Sequence, residues 1–123
     1  MSSFRSLRVL PALLYTAAIF YGGVIDVGPL PDPRVIPADK LLHFAAFLGL
    51  EWLLELALLD VRQRRPLAVA IAALLGLGLE AVQAALPHRS AELLDLVADA
   101  TGALAGGLLL SLLARVRPLR LEQ

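Results

Sequence analysis

The sequence predicts an all-α protein: a four-helix transmembrane bundle with both termini cytoplasmic and a polar cavity at its outer side. Three observations carry that expectation. Four apolar stretches each approach the ~20 residues that a helix needs to cross a hydrocarbon core. The 123-residue chain is 59% apolar and only 6% aromatic, with a mean hydropathy of +0.76, an excess over ordinary soluble domains that comes from Leu, Ala and Val. The arginines, finally, gather at alternate ends of the apolar stretches.

The length fits a single domain over residues 1–123, with helices near 7–25, 39–59, 66–86 and 91–114. Val9–Ile25 carries no charge. Arg5 and Arg8 ahead of it resemble the start of a signal peptide, but the stretch is longer than a usual signal core and three more spans follow, so a retained helix is expected. The connector DVGPLPDPRVIPAD holds four prolines, which lack a backbone donor and exclude a helix. The second stretch, Leu41–Leu59, follows. DVRQRRP is a short basic turn, with Pro66 suited to a first helical turn. The third stretch ends at Pro87, and Ser90 is the expected N-cap of the fourth.

Charge placement sets the orientation. Arg5, Arg8, Arg62, Arg64, Arg65, Arg115, Arg117 and Arg120 share one side of this topology, and only Arg34, Lys40 and Arg89 lie on the other. Basic residues near spans stay in the cytoplasm, which puts both termini on the cytoplasmic side of the membrane. The formal net charge is zero, and no basic surface suggests a nucleic-acid partner. Without cysteines, thiolate nucleophiles and disulfides are excluded.

Polar residues then converge at one depth. Asp39, Lys40 and His43 open the second helix, Glu80 and Gln83 close the third, and Glu92, Asp95 and Asp99 open the fourth, with His88 and Arg89 in the connector between. Asp39 and His43 lie about 40° apart on their helix, and Glu92, Asp95, Asp99, Gly102 and Gly106 fall within an arc of about 80°. Gly102 and Gly106 have the GxxxG spacing that lets membrane helices approach closely. A tight inner half below an open polar outer half is the expected shape. Charged residues in spans are expensive and face the bundle interior, water or a partner.

Each residue also has a plainer reading: Asp39 complementing the helix dipole, Lys40 reaching for the interface, His43 packing, Arg89 capping a loop, His88 solvated, Glu92 starting a helix. Glu80, Asp95 and Asp99 resist that reading because they lie inside apolar segments. Glu51 and Glu55 continue the second helix inward with no assigned role. An oxygen-rich metal site at His43, Glu80, Asp95 and Asp99 has no supporting ligand spacing, so neither metal nor cofactor is expected. No nucleophile motif is present either, which leaves catalysis open.

DKLLHF followed by EAVQAALPHRSAELLDLVADATGALAG resembles the VanZ-like family of small bacterial membrane proteins. The matching positions are Asp39, Lys40, His43, Phe44, Glu80, Gln83, Arg89, Asp95, Asp99, Gly102 and Gly106. Asp99 departs from the pattern, which more usually has asparagine there. The resemblance implies an integral membrane protein, linked in some members to teicoplanin-type glycopeptide resistance, and supplies no reaction. The leading expectation is a site that binds, and in an active form modifies, a cell-envelope lipid or lipid-linked wall precursor. Proton-exchanging candidates are His43, Glu80, Asp95 and Asp99; ligand-binding candidates are Asp39, Lys40, Gln83 and Arg89. Proton-coupled transport, which would require a homo-oligomer, and non-catalytic assembly of a partner membrane enzyme are the rival expectations.

Overall fold

A computed structural model describes residues 2–25 and 38–116. The proline-rich connector with Arg34, and the distal Arg117 and Arg120, lie outside the described residues. Four helices make up the architecture: α1 (Ser2–Val24), α2 (Ala38–Ala57), α3 (Arg64–Ala84) and α4 (Leu93–Val116). No strand occurs among the described residues. By length and composition α1, α3 and α4 suffice to cross a membrane. At 20 residues, α2 is ~30 Å long, and it carries Asp39, Lys40, Glu51 and Glu55.

Helix ends differ from the sequence expectation in instructive ways. α1 starts earlier because its polar first turns reach a partner: Arg5 Nε and Arg8 Nη2 both donate to Asp60 Oδ2, at 3.0 and 2.7 Å. Two arginines hold that carboxyl below its usual range. Pro11 lies inside α1, where its ring cannot donate to the carbonyl one turn back. α4 begins at Leu93, and the expected Ser90 cap is not used. The carbonyl of Glu92 instead accepts from the Asp95 and Leu96 amides at 3.1 and 3.3 Å.

Pairings between helices give their directions. His43 meets Asp99, Phe44 meets Gly102 and Leu48 meets Gly106, so α2 and α4 run parallel. Glu55 meets Arg65 while Phe47 meets Gly76, so α3 runs against α2. Arg8 meets Asp60 and Tyr15 donates to the Ala46 carbonyl at 2.8 Å, so α1 also opposes α2. The chain therefore runs up and down, and the start of α1, the α2–α3 connector and the end of α4 share one end of the bundle. α2 touches all three other helices, whereas α1 and α4 touch α2 and α3 but not each other.

Small residues bring α2 and α4 together. A β-carbon on Gly102 would lie 2.2 Å from the Phe44 carbonyl oxygen, and one on Gly106 would lie 2.9 Å from that of Leu48. Trp52 Nε1 adds a 2.9 Å bond to the Gly106 carbonyl. The core is modest: Phe47, Leu50, Ala72, Leu79 and Ala103. Large apolar side chains such as Leu10, Leu14, Leu104 and Leu108 point outward, while Glu51, Glu55, Glu80, Gln83, Asp95 and Asp99 are buried. This inversion of the aqueous pattern is what a hydrocarbon solvent selects, since polar groups in lipid must find partners inside the protein.

Candidate functional site

One turn of α2, one of α4 and the end of α3 build a compact ionic cluster. Asp39 and His43 are separated by four residues, so both project from one face of α2. Parallel α4 presents Asp95 and Asp99 at the same spacing opposite them. His43 Nδ1–H donates to Asp99 Oδ1 at 2.7 Å, the tautomer following from the carboxylate partner. The other ring nitrogen, Nε2, stands 3.8 Å from both Asp39 Oδ1 and Asp95 Oδ2, beyond hydrogen-bond reach. Lys40 Nζ gathers the outer carboxylates: Asp95 Oδ1 at 2.6 Å, Asp39 Oδ2 at 3.4 Å, and Glu92.

Glu80 joins from α3. Its Oε2 accepts the Glu92 backbone N–H at 3.1 Å, giving the start of α4 a capping carboxylate from another helix. Glu80 Oε1 and Asp99 Oδ2 are buried and have no hydrogen-bond partner among the described residues. Small residues make this burial feasible: a β-carbon on Gly76, one turn before Glu80, would come within 3.0 Å of Asp99 Oδ2. Two triplets have ligand atoms within 4.8 Å of one another, Asp39–His43–Asp95 and His43–Glu80–Asp99.

Of the eight candidate residues read from sequence, six meet here: Asp39, Lys40, His43, Glu80, Asp95 and Asp99. The other two do not. Gln83 Nε2 donates to the Gly23 carbonyl at 3.1 Å, and Arg89 Nη2 donates to those of Gly22 and Ile25 at 3.2 and 2.9 Å. His88, expected to be solvated, donates through Nε2 to the Val24 carbonyl at 2.8 Å. These three side chains close the C-terminal end of α1, where carbonyls lack intrahelical donors. Glu92, read as a plain helix-start acid, also belongs to the ionic cluster.

The open space lies beside the cluster. A cleft of about 330 Å³ runs between α1, α2 and α3, walled by Tyr15, Ile19, Leu42, Phe47 and Leu79, with Asp39 and His43 also lining it. The polar groups expected to line a wide chamber are packed mostly against each other, and the chamber itself is largely apolar. Sequence reading did not single out Tyr15, Leu42, Phe47 or Leu79, because aliphatic and aromatic residues in a span look alike whether they face lipid or a cleft.

The VanZ/LLP1 family model matches residues 2–114, nearly the whole chain and all four helices. The chain belongs to the VanZ/LLP1 family. No curated protein and no solved structure matches it. This VanZ/LLP1 chain is thus a helical membrane-type protein whose ionic cluster occupies the positions that the DKLLHF and EAVQ segments mark.

Proposed function

We propose that this VanZ/LLP1 protein binds, and through His43 modifies, an amphiphile of the cell envelope, a lipid or a lipid-linked wall precursor. Its acyl portion would enter the cleft and its headgroup would meet Asp39 and His43. The observation that carries this reading is the composition of the cleft wall: apolar side chains from three helices, interrupted where His43 stands against buried Asp99. An oriented imidazole backed by a carboxylate is suited to accept a proton from a headgroup hydroxyl or amine. The arginine-rich end of the bundle, with Arg5, Arg8, Arg62, Arg64 and Arg65, would face the cytoplasm. The cluster would then open toward the outer leaflet, where wall precursors and glycopeptide antibiotics meet.

Gly22 supplies the test. It lines the cleft, and a β-carbon there meets nothing within 4 Å, so Gly22→Leu fills the space while leaving the cluster intact. Lipids retained by the protein in native nanodiscs would be compared by mass spectrometry, alongside glycopeptide sensitivity of cells carrying His43→Ala. The reading requires a lipid species enriched with the wild type and depleted at least tenfold with Gly22→Leu. Identical lipid profiles for both, with unchanged sensitivity in cells where deletion has a phenotype, would end it. Proton transfer along α2 is the weaker reading: Asp39, His43, Glu51 and Glu55 share a stripe, but Phe47, 1% exposed, interrupts it.

A further inference from the structure

We infer that His43, Glu80 and Asp99 form a binding site for one divalent transition-metal cation. This goes beyond the lipid reading and does not depend on it. The first support is a charge imbalance. Lys40 pairs with Asp39, Glu92 and Asp95, while Glu80 and Asp99 in the same cluster meet only the Glu92 amide and the His43 ring. Arg89, the other cation at this end among the described residues, faces carbonyls of α1. Asp39 and Glu92 reach the surface, but Glu80, Asp95 and Asp99 are buried, and buried carboxylates need a counter-charge.

The second support is independent of the count. Glu80 and Asp99 are 6% and 0% exposed, and each has one oxygen engaged and one left over. Glu80 Oε2 takes the Glu92 amide and Asp99 Oδ1 takes the His43 ring, while Glu80 Oε1 and Asp99 Oδ2 have no hydrogen-bond partner among the described residues. Buried polar atoms in native proteins are nearly always satisfied, so two orphan oxygens in one triplet point to a missing ligand. Ligand atoms of the three residues already lie within 4.8 Å of each other. Donors on one ion with bonds of ~2.1 Å stand ~3–4.2 Å apart, so the triplet closes on an ion with small side-chain movements. Carboxylate oxygens with an imidazole nitrogen suit Mn²⁺ and Zn²⁺. On binding, His43 Nδ1 would release its proton and its bond to Asp99 Oδ1 to present a lone pair to the ion. Nε2, 3.8 Å from Asp39 and Asp95, would carry the remaining ring proton.

The ligands come from three helices and leave no local motif, which is why the sequence reading expected no metal. The test uses the full chain in nanodiscs, stripped with chelator and titrated with Mn²⁺, with Zn²⁺ as competitor. The expected result is one saturable site per chain, displaced by Zn²⁺, with nitrogen coupling from an imidazole in the Mn²⁺ spin spectrum. Glu80→Gln and Asp99→Asn should each weaken binding at least tenfold, and Asp60→Asn should leave it unchanged. Absence of a saturable site below ~1 mM, the weak end for protein-bound divalent ions, overturns the inference. So does unaltered binding in Glu80→Gln and Asp99→Asn. Should a variant not fold, the nitrogen coupling in the wild type decides alone. Lipid retention that survives chelation separates this outcome from that of the lipid reading.

Discussion

The two ends of the bundle handle acids in opposite ways. At the arginine-rich end, Asp60 is held by Arg5 and Arg8, and Glu55 receives Arg65 Nε at 2.7 Å and Nη2 at 3.4 Å. Each acid there has its own guanidinium, a planar fork suited to one carboxylate. At the other end several carboxylates share one lysine and one histidine, and two buried oxygens are left over. Matched pairs stitch helices together. A mismatch is harder to explain by stability, because unpaired buried polar groups are destabilising, and that contrast is why the proposed function is placed at the acid-rich end.

The comparison can be broken most forcefully where both ends depend on one contact. Gly102→Leu drives a side chain into the Phe44 carbonyl, and a backbone oxygen cannot rotate away. The expected loss is at or above the upper end of the ~1–3 kcal/mol typical of overpacking, read as loss of the folded monomer in a thermal or chromatographic assay. Next comes Arg65→Ala, which leaves buried Glu55 with only Arg64 at 4.0 Å. A fall of roughly 1–3 kcal/mol in stability is expected, with the proposed lipid retention unaffected. If lipid retention vanished too, the division between a stitching end and a working end would be wrong.

Glu51 sharpens the contrast because it belongs to neither pattern. It is 0% exposed, wedged against Gly106 and Gly107, and neither oxygen has a hydrogen-bond partner among the described residues. Glu51→Met preserves the volume and removes the polar atoms. A stability gain of up to ~1 kcal/mol is expected from relieving unsatisfied groups; a loss of envelope phenotype without loss of stability would instead give Glu51 a working role. The smallest effect belongs to Asp60. Its folded-state pKa is lowered by Arg8 and Arg5, so its contribution is present above the ordinary carboxylate range and is lost as pH falls through the lowered value. The melting difference between wild type and Asp60→Asn should therefore shrink in acid, and also in high salt, because the pair is exposed.

Periodicity made much of this legible. Four apolar lengths gave the four helices, and the stripe of Asp95, Asp99, Gly102 and Gly106 is the buried face of α4. On α3 the two polar residues read from sequence, Glu80 and Gln83, lie on the buried face with Ala68, Ala72, Gly76 and Leu79. Depth along the helices follows from counting residues, and six of the eight candidates placed at one depth lie together in the structure. What could not be read was how side chains divide their bonds. Gln83 and Arg89 have the right depth, but their partners are carbonyls some sixty residues earlier, and a carbonyl carries no sequence signal. The capping of α4 by Glu80 was hidden for the same reason.

Those carbonyl contacts also bear on α1. Arg5 and Arg8 fasten one tip of this helix, Gln83, His88 and Arg89 fasten the other, and between them Tyr15 donates a hydrogen bond to α2. α2 and α4, by contrast, are locked to each other by Gly102 and Gly106 against the carbonyls of Phe44 and Leu48. A beam pinned at both ends yields in the middle, and the middle of α1 is one wall of the cleft. Under the proposed lipid binding, an acyl chain would enter past α1, while the His43–Asp99 pair stands on the glycine-locked side.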